Sequence, residues 1–256
     1  MSGDVRSTSM KPATVTSMWG SLYKLAGVAA LTAAGLFLID VLILAIAGPL
    51  PDSADGWFTL LHHDRPAALL KLFFTDLIGI ALIAPIVLGI YVALRQKSPA
   101  LALLAAAFSF VGIALVLATN PNFVLIHLSD RYAAASTNPE RASLLTEADL
   151  VLASGSWGTG TLIGSFLLEG ALLTVSILMV REPHFGKAVG YLGIVAHGLD
   201  FAHALVFLFM VPLFNTALAL AIGTPLLAVG GTLQLIWYPL TATRLLRLSK
   251  LPTSSS

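Results

Sequence analysis

The sequence contains no cysteine and few charged residues, and each absence excludes a class of function. Without cysteine the chain can hold no disulfide, thiolate metal site, cysteine nucleophile or iron–sulfur cluster. Only 11% of the residues are Asp, Glu, Lys or Arg, whereas about 25% is usual in soluble domains. The net charge of +1 offers no basic surface for nucleic acid, so no nucleic-acid partner is expected.

Hydrophobic residues make up 57% of the chain and are concentrated in six long runs. A helix needs about 20 consecutive apolar residues to cross the hydrocarbon core of a bilayer, and each run is close to or above this length. We therefore predict an all-α integral membrane protein, a bundle of six transmembrane helices surrounded by membrane lipid. The predicted spans are Leu25–Ala47, Leu69–Leu94, Ala100–Ala118, Gly155–Val180, Ala188–Val211 and Ala217–Leu240.

The basic residues are distributed unevenly between the two sides of these spans. Ten of the 14 Lys and Arg residues lie in the tails or in the second and fourth connections. The other connections hold four basic and seven acidic residues. Because basic residues mark cytoplasmic loops, we predict a multi-pass protein of the cell membrane with both termini in the cytoplasm. Residues 1–18 and 249–256 are predicted to be disordered cytoplasmic tails that flank a transmembrane domain over 19–248.

The connection between the third and fourth spans carries a helix-start pattern. Thr137 precedes a proline in the first turn, and Glu140 follows Thr137 in capping-box spacing. Leu144 and Ala148 then recur at helical spacing, with Glu147 on the polar side. We predict an external amphipathic helix that lies on the outer surface and leads into the fourth span.

Two glycines mark a contact face on the fourth span. Gly160 and Gly164 are four residues apart and allow a second backbone to approach closely, which favours helix association in lipid. This face could pack against a neighbouring helix of the same chain or against a second copy in a homodimer.

Several stretches of the chain are similar to those of a known class of protein. They are Asn120-Pro121-Asn122-Phe123, the segments 128–135, 140–145 and 186–193, and the Arg-Leu-Leu-Arg-Leu ending. With these segments the chain resembles uncharacterised bacterial six-helix membrane proteins that form a family of unknown function, over most of residues 20–248. The resemblance implies a multi-pass fold and offers no catalytic residue or ligand.

Six acids and histidines lie within the predicted spans, where an ionised acid costs roughly 2.5–3.5 kcal/mol on the insertion scale. We predict that they bind a ligand or a proton. At 1.5 Å per residue, the first two acids should lie about 10 Å below the outer interface, at matching depth. If the helix faces converge, all six residues line a polar cavity that opens outward. The six are Asp40, Asp76, Glu169, His197, Asp200 and His203.

The fifth span combines three of these residues as His197, Asp200 and His203. Steps of three residues place neighbours about 60° apart around a helix, so the Asp can reach either imidazole. Three interpretations remain open: a hydrogen-bonded polar cluster that fixes packing, a proton- or cation-handling site, and a metal site completed by acids from other helices. Two histidines on one helix bind a metal best at a spacing of four, which this triplet lacks. No cofactor is predicted.

Three functions agree with these patterns. The preferred one is proton- or cation-linked transport or sensing of a small molecule, because four intramembrane acids have no intramembrane Lys or Arg partner within the predicted site. The second is an intramembrane metal-assisted hydrolase that acts on a lipid. The third is a structural or accessory membrane subunit whose polar centre specifies packing.

Overall fold

The computed structural model describes residues 13–72 and 74–250, which form ten helices and no strand. Six segments of the described chain are long and apolar enough to cross a membrane, and each contains one of the helices α1, α4, α5, α8, α9 and α10. The predicted all-α bundle of six spans is therefore confirmed. The helices are α1 (Ala13–Ala47), α2 (Ala54–His63), α3 (Arg65–Lys71), α4 (Phe74–Leu94), α5 (Pro99–Ala118), α6 (Asn122–Ala134), α7 (Asn138–Trp157), α8 (Thr159–Val180), α9 (Lys187–Leu213) and α10 (Thr216–Leu248).

The six spanning helices form a closed ring in the order α1, α4, α5, α8, α9 and α10, and α10 packs against α1. Small residues bring the helices close together, since packing rather than hydrophobic exclusion holds helices together in lipid. Gly160 of α8 faces Thr119 of α5, and Gly164 faces Leu115 and Val116. The two glycines therefore pack within the chain, as one of the two alternatives expected, and a homodimer remains a prediction.

The remaining helices, α2, α3, α6 and α7, form a helical cap at one end of the ring. Their buried residues make a hydrophobic cluster separate from that of the bundle, with Trp57, Phe58 and Leu128 among its members. Polar contacts join the helices of the cap. Asp149 accepts a hydrogen bond of 2.9 Å from the Ala54 backbone amide, and both guanidinium ends of Arg65 donate to Asp130. We call this end of the bundle the cap end, and the opposite end, where α1 begins and α10 ends, the termini end.

The predicted helix between the third and fourth spans is confirmed as α7, one of four helices in this region, and its position outside the cell remains a prediction. Thr137 caps α7 by accepting from the Glu140 amide at 3.4 Å, and the Glu140 carboxylate accepts from the Ser136 amide. The sequence did not predict α2, α3 or α6 as helices. With 10 and 7 residues, α2 and α3 are too short to show a clear period.

Several predicted boundaries are corrected. The second span begins with α4 at Phe74, because its first predicted residues belong to α3. The fourth span begins at Thr159, since the extended backbone of Gly158 separates α7 from α8. Helix α10 continues beyond the predicted end to Leu248, and α1 begins at Ala13, within the predicted tail. The rest of the predicted tails, 1–12 and 251–256, lies outside the described residues.

The connections at the termini end are held by charged side chains. Lys97, between α4 and α5, lies 3.3 Å from Glu182, between α8 and α9, and Glu182 is buried. The guanidinium of Arg95 lies 4.5 Å from the centre of the Trp19 ring. Charged groups and tryptophan at this level are typical of a membrane interface.

The assignment of Thr137 as the N-cap residue of α7 leads to a first prediction. Thr137→Ala should destabilise α7 by about 1 kcal/mol, because the first turn loses its side-chain cap.

A cysteine at exposed Glu147 should react with a membrane-impermeant maleimide from outside the cell, whereas one at Leu145, which packs against the cap cluster, should not. Since the chain has no native cysteine, the background is absent. Equal labelling at both positions, or labelling of Glu147→Cys only from the cytoplasm, would contradict the assignment.

Candidate functional site

A cavity of about 300 Å³ lies inside the ring and is lined by residues from all six spanning helices. Four of the predicted site residues line it, each from a different helix: Asp40 of α1, Asp76 of α4, Glu169 of α8 and Asp200 of α9. Of the six residues that would line one cavity if their helix faces converged, the four acids line this one. They form two groups at different depths.

The group nearer the cap end, which we call the outer pair, consists of Asp40 and Asp76. The hydroxyl of Thr75 donates a hydrogen bond to Asp40 Oδ1, which places the first residues of α4 beside Asp40. The other carboxylate oxygen, Oδ2, is buried and has no hydrogen-bond partner among the described residues. The two acids thus lie at similar depth on neighbouring helices, with one carboxylate oxygen unpaired.

The second group, which we call the inner group, lies near the middle of the bundle and consists of Glu169, His197, Asp200 and Gln234. His197 Nδ1 lies 2.8 Å from Glu169 Oε2. The amide nitrogen of Gln234 donates to Asp200 Oδ2 at 2.6 Å and lies 3.4 Å from Glu169 Oε2. One amide therefore connects two carboxylates, and hydrogen bonds join α8, α9 and α10.

His197 itself is a core residue, with no exposed surface. Its ring lies edge-on to Trp237, with the centroids 4.6 Å apart. Within the described part of the chain, its Nε2 has no hydrogen-bond partner. The imidazole thus acts on the cavity through Glu169, which lines it.

His203 is not part of this arrangement, which corrects its predicted place in the site. Its Nδ1 lies 2.9 Å from the carbonyl oxygen of Gly223, and its ring packs against Phe207 at 4.5 Å. Because a carbonyl can only accept, Nδ1 carries the proton. The position of His203 on α9 turns its side chain toward the cap-end half of α10.

The metal interpretation of the His–Asp–His triplet on the fifth span, α9, is not supported by the side-chain geometry. His197, Asp200 and His203 have three different partners, Glu169, Gln234 and the Gly223 carbonyl. Over 13–72 and 74–250, no group of three or more His, Asp or Glu side chains is arranged to hold a metal ion. The angular spread of the triplet around its helix is the physical reason.

Two polar residues that contact the predicted acids, Thr75 and Gln234, were not predicted from the sequence because their side chains do not ionise. Thr75 directly precedes Asp76 and resembles an ordinary residue at a helix start. Gln234 had a usable signal, since it is the one amide side chain within the six predicted spans. A buried amide in a membrane helix needs a partner as a buried acid does.

Apart from Ser165, most of the remaining lining is apolar. It includes aliphatic side chains such as Ile80, Leu168 and Leu235, and the rings of Phe37 and Tyr238, whose centroids are 5.7 Å apart. Among the described residues that line the cavity there is no Lys or Arg. Four carboxyl groups therefore share one cavity whose described lining contains no Lys or Arg, and the imidazole of His197 lies against one of them, Glu169.

A glycine on α10 makes room for Asp200. A Cβ at Gly230 would collide with the Asp200 carboxylate and would lie 3.0 Å from the carbonyl oxygen of Ala196. The neighbouring Gly231 lines the cavity and has open space around it. The packing of α9 against α10 at the inner group thus depends on Gly230 and not on Gly231.

Comparison with known proteins agrees with this architecture. Neither the curated proteins nor the solved structures contain a match to the chain. A family model does match, and it covers residues 18–237, from the first turns of α1 past the inner group on α10. The chain belongs to the family described as domain of unknown function DUF4386.

Proposed function

We propose that the central cavity binds a proton or a cation and that this binding serves transport or sensing of a small molecule across the membrane. One observation carries the proposal: four carboxylates from four helices line one cavity whose described lining contains no Lys or Arg. Ionisable groups within membrane helices are expensive and face one another or a ligand path.

Unpaired carboxylate oxygens support a ligand beyond the protein's own hydrogen bonds. Asp200 is only 6% exposed and lines the cavity, yet its Oδ1 has no partner in the described chain. Asp40 Oδ2 is in the same condition. A buried acceptor without a donor is unfavourable by about 1–3 kcal/mol, and a bound proton or cation removes that penalty.

The hydrogen bonds of the inner group indicate a structural role in addition to ligand binding. Its hydrogen bonds through Gln234 and His197 hold α8, α9 and α10 together, as a structural polar cluster would. The outer pair has fewer such bonds, since Thr75 satisfies a single oxygen of Asp40. We therefore assign ligand binding chiefly to the outer pair, with the inner group at the floor of the cavity.

The test is the response of purified full-length protein to cations. We expect the melting temperature to rise either with proton concentration or with one of three chlorides, those of sodium, potassium and methylammonium, compared at equal ionic strength. The reason is that a ligand that binds only the folded state stabilises it. Asp40→Asn and Asp76→Asn should raise the half-saturating concentration at least tenfold. Proteoliposomes prepared with the responding cation then distinguish transport, seen as uptake, from sensing.

The matched control is Asp52→Asn, the same chemical change at an exposed acid of the cap. This variant should respond like the wild type. If no cation or proton response depends on Asp40 or Asp76, or if Asp52→Asn weakens the response as much, the proposal is wrong and a packing role is left.

A further inference from the structure

We infer that the ligand is an amphipathic organic cation, an ammonium group on an aliphatic chain, which enters the cavity from the lipid through a lateral cleft between α1 and α10. The inference rests on the proposed function and names the ligand class and its route. Three sets of observations carry it: the packing of the two helices, the surface position of two lining residues, and the chemistry of the cavity.

Helices α1 and α10 are in close contact near the termini end. A Cβ at Gly27 of α1 would collide with Leu246 of α10, and it would lie 3.2 Å from the Ala242 carbonyl. The contact continues toward the middle of the membrane, where Phe37 lies against Tyr238. Between this aromatic pair and the termini end, α1 and α10 are packed against each other.

Toward the cap end the two helices part. No residue of α1 from 38 to 47 is buried. In the same half of α10, before Gly231, the buried residues are Ala219, Gly223 and Gly230. Gly223 and Gly230 face His203 and Asp200 of α9 rather than α1. The cap-end halves of α1 and α10 therefore border an opening, which we call the lateral cleft.

The cavity reaches the outer surface of the bundle through this cleft. Val41 of α1 and Leu227 of α10 both line the cavity, yet they are 50% and 47% exposed. A residue can satisfy both conditions only if it stands at the edge of an opening. Because this surface lies within the membrane-spanning helices, the opening faces lipid rather than water.

The chemistry along this route changes from apolar to acidic. A ligand entering from lipid meets the aliphatic side chains of Val41 and Leu227 and then the carboxylates of the outer pair, since Asp40 is adjacent to Val41 on α1. Phe37, which also lines the cavity, lies farther from the cap end. A volume of about 300 Å³ is at the lower end for an organic ligand and far exceeds what a bare ion fills. A phospholipid headgroup is disfavoured because its phosphate would be repelled by the acids.

The probes are decylammonium, methylammonium and decanol, added to full-length protein in phosphatidylcholine nanodiscs. We expect decylammonium to raise the melting temperature at a concentration at least tenfold below that of methylammonium. Decanol, with the same chain and no charge, should have no specific effect. Specific binding is the part of each shift that Asp40→Asn abolishes.

Two matched variants test the route. Leu227→Trp places a large ring at the edge of the cleft and should weaken decylammonium binding at least tenfold. Val229→Trp makes a similar change at a residue of α10 that is 52% exposed and does not line the cavity, and binding should be unchanged. Comparable melting temperatures of the two variants without ligand exclude a folding defect as the cause.

Different outcomes separate this inference from the proposed function. If methylammonium or an inorganic cation binds as well as decylammonium, or if Leu227→Trp has no effect, the amphipathic ligand and its route are overturned while cation binding stands. If decanol stabilises as strongly as decylammonium, the charge of the probe is irrelevant and this inference is overturned, while the proposed function is decided by its own test with protons and small cations. If no probe produces a shift that depends on Asp40, the inference is likewise overturned.

Discussion

His197→Leu should destabilise the protein by about 1–3 kcal/mol, the cost of leaving a buried hydrogen-bonding group without its partner. The imidazole is fully buried and lies 2.8 Å from Glu169, so its loss leaves a carboxylate in the bundle with only the longer contact to Gln234. Unfolding by sodium dodecyl sulfate in mixed micelles measures the change.

The matched control for this prediction is His203→Leu on the same helix. His203 is only partly buried and loses a single bond to the Gly223 carbonyl, so we expect a smaller loss, of about 1 kcal/mol. Combining His197→Leu with Glu169→Gln should be non-additive, with a coupling energy of about 0.5–3 kcal/mol. Strict additivity, or equal losses for the two histidine variants, would show that the His197–Glu169 contact does not stabilise the fold.

The second large effect is expected from two adjacent glycines of α10. Gly230→Ala should destabilise the protein by about 1–3 kcal/mol, because the new methyl group collides with the Asp200 carboxylate and approaches the Ala196 carbonyl. Gly231→Ala adds the same atom in open space, so its stability should equal or exceed that of the wild type. Both changes are measured by the same unfolding assay.

A double variant tests the stated cause of the Gly230 effect. In an Asp200→Ala background the carboxylate is absent, so Gly230→Ala should be less destabilising than in the wild type. If Gly231→Ala is as destabilising as Gly230→Ala, or if the Asp200→Ala background brings no relief, the close contact of α9 and α10 at the inner group is not the reason.

Local chemistry explains which parts of the fold could be predicted. The spans follow from runs of apolar residues, since a bilayer requires a helix of a given length wherever such a run occurs. The start of α7 follows from Thr137 and Glu140, whose hydrogen bonds are made within one turn. The break at Gly158 and the helices α2, α3 and α6 were missed, because they depend on how the cap packs.

The site shows the same division. That Asp40, Asp76, Glu169 and Asp200 are unusual is evident from the sequence alone, because any ionisable group in a membrane span is unusual. The grouping of His203 with them was wrong, since a position on a helix gives an angle but not the neighbour found at that angle. Gln234 joined the site because α10 packs beside α9.

The sequence by itself determined the six spans, their apolar character, the cap of α7 and the presence of buried acids, because these depend on residues close together in the chain. Only the tertiary structure decided that the ring closes from α10 to α1, that four acids share one cavity, and that α1 and α10 part toward the cap end. Those features depend on contacts between helices distant in sequence, where close backbone approach at residues such as Gly27 and Gly230 selects one arrangement.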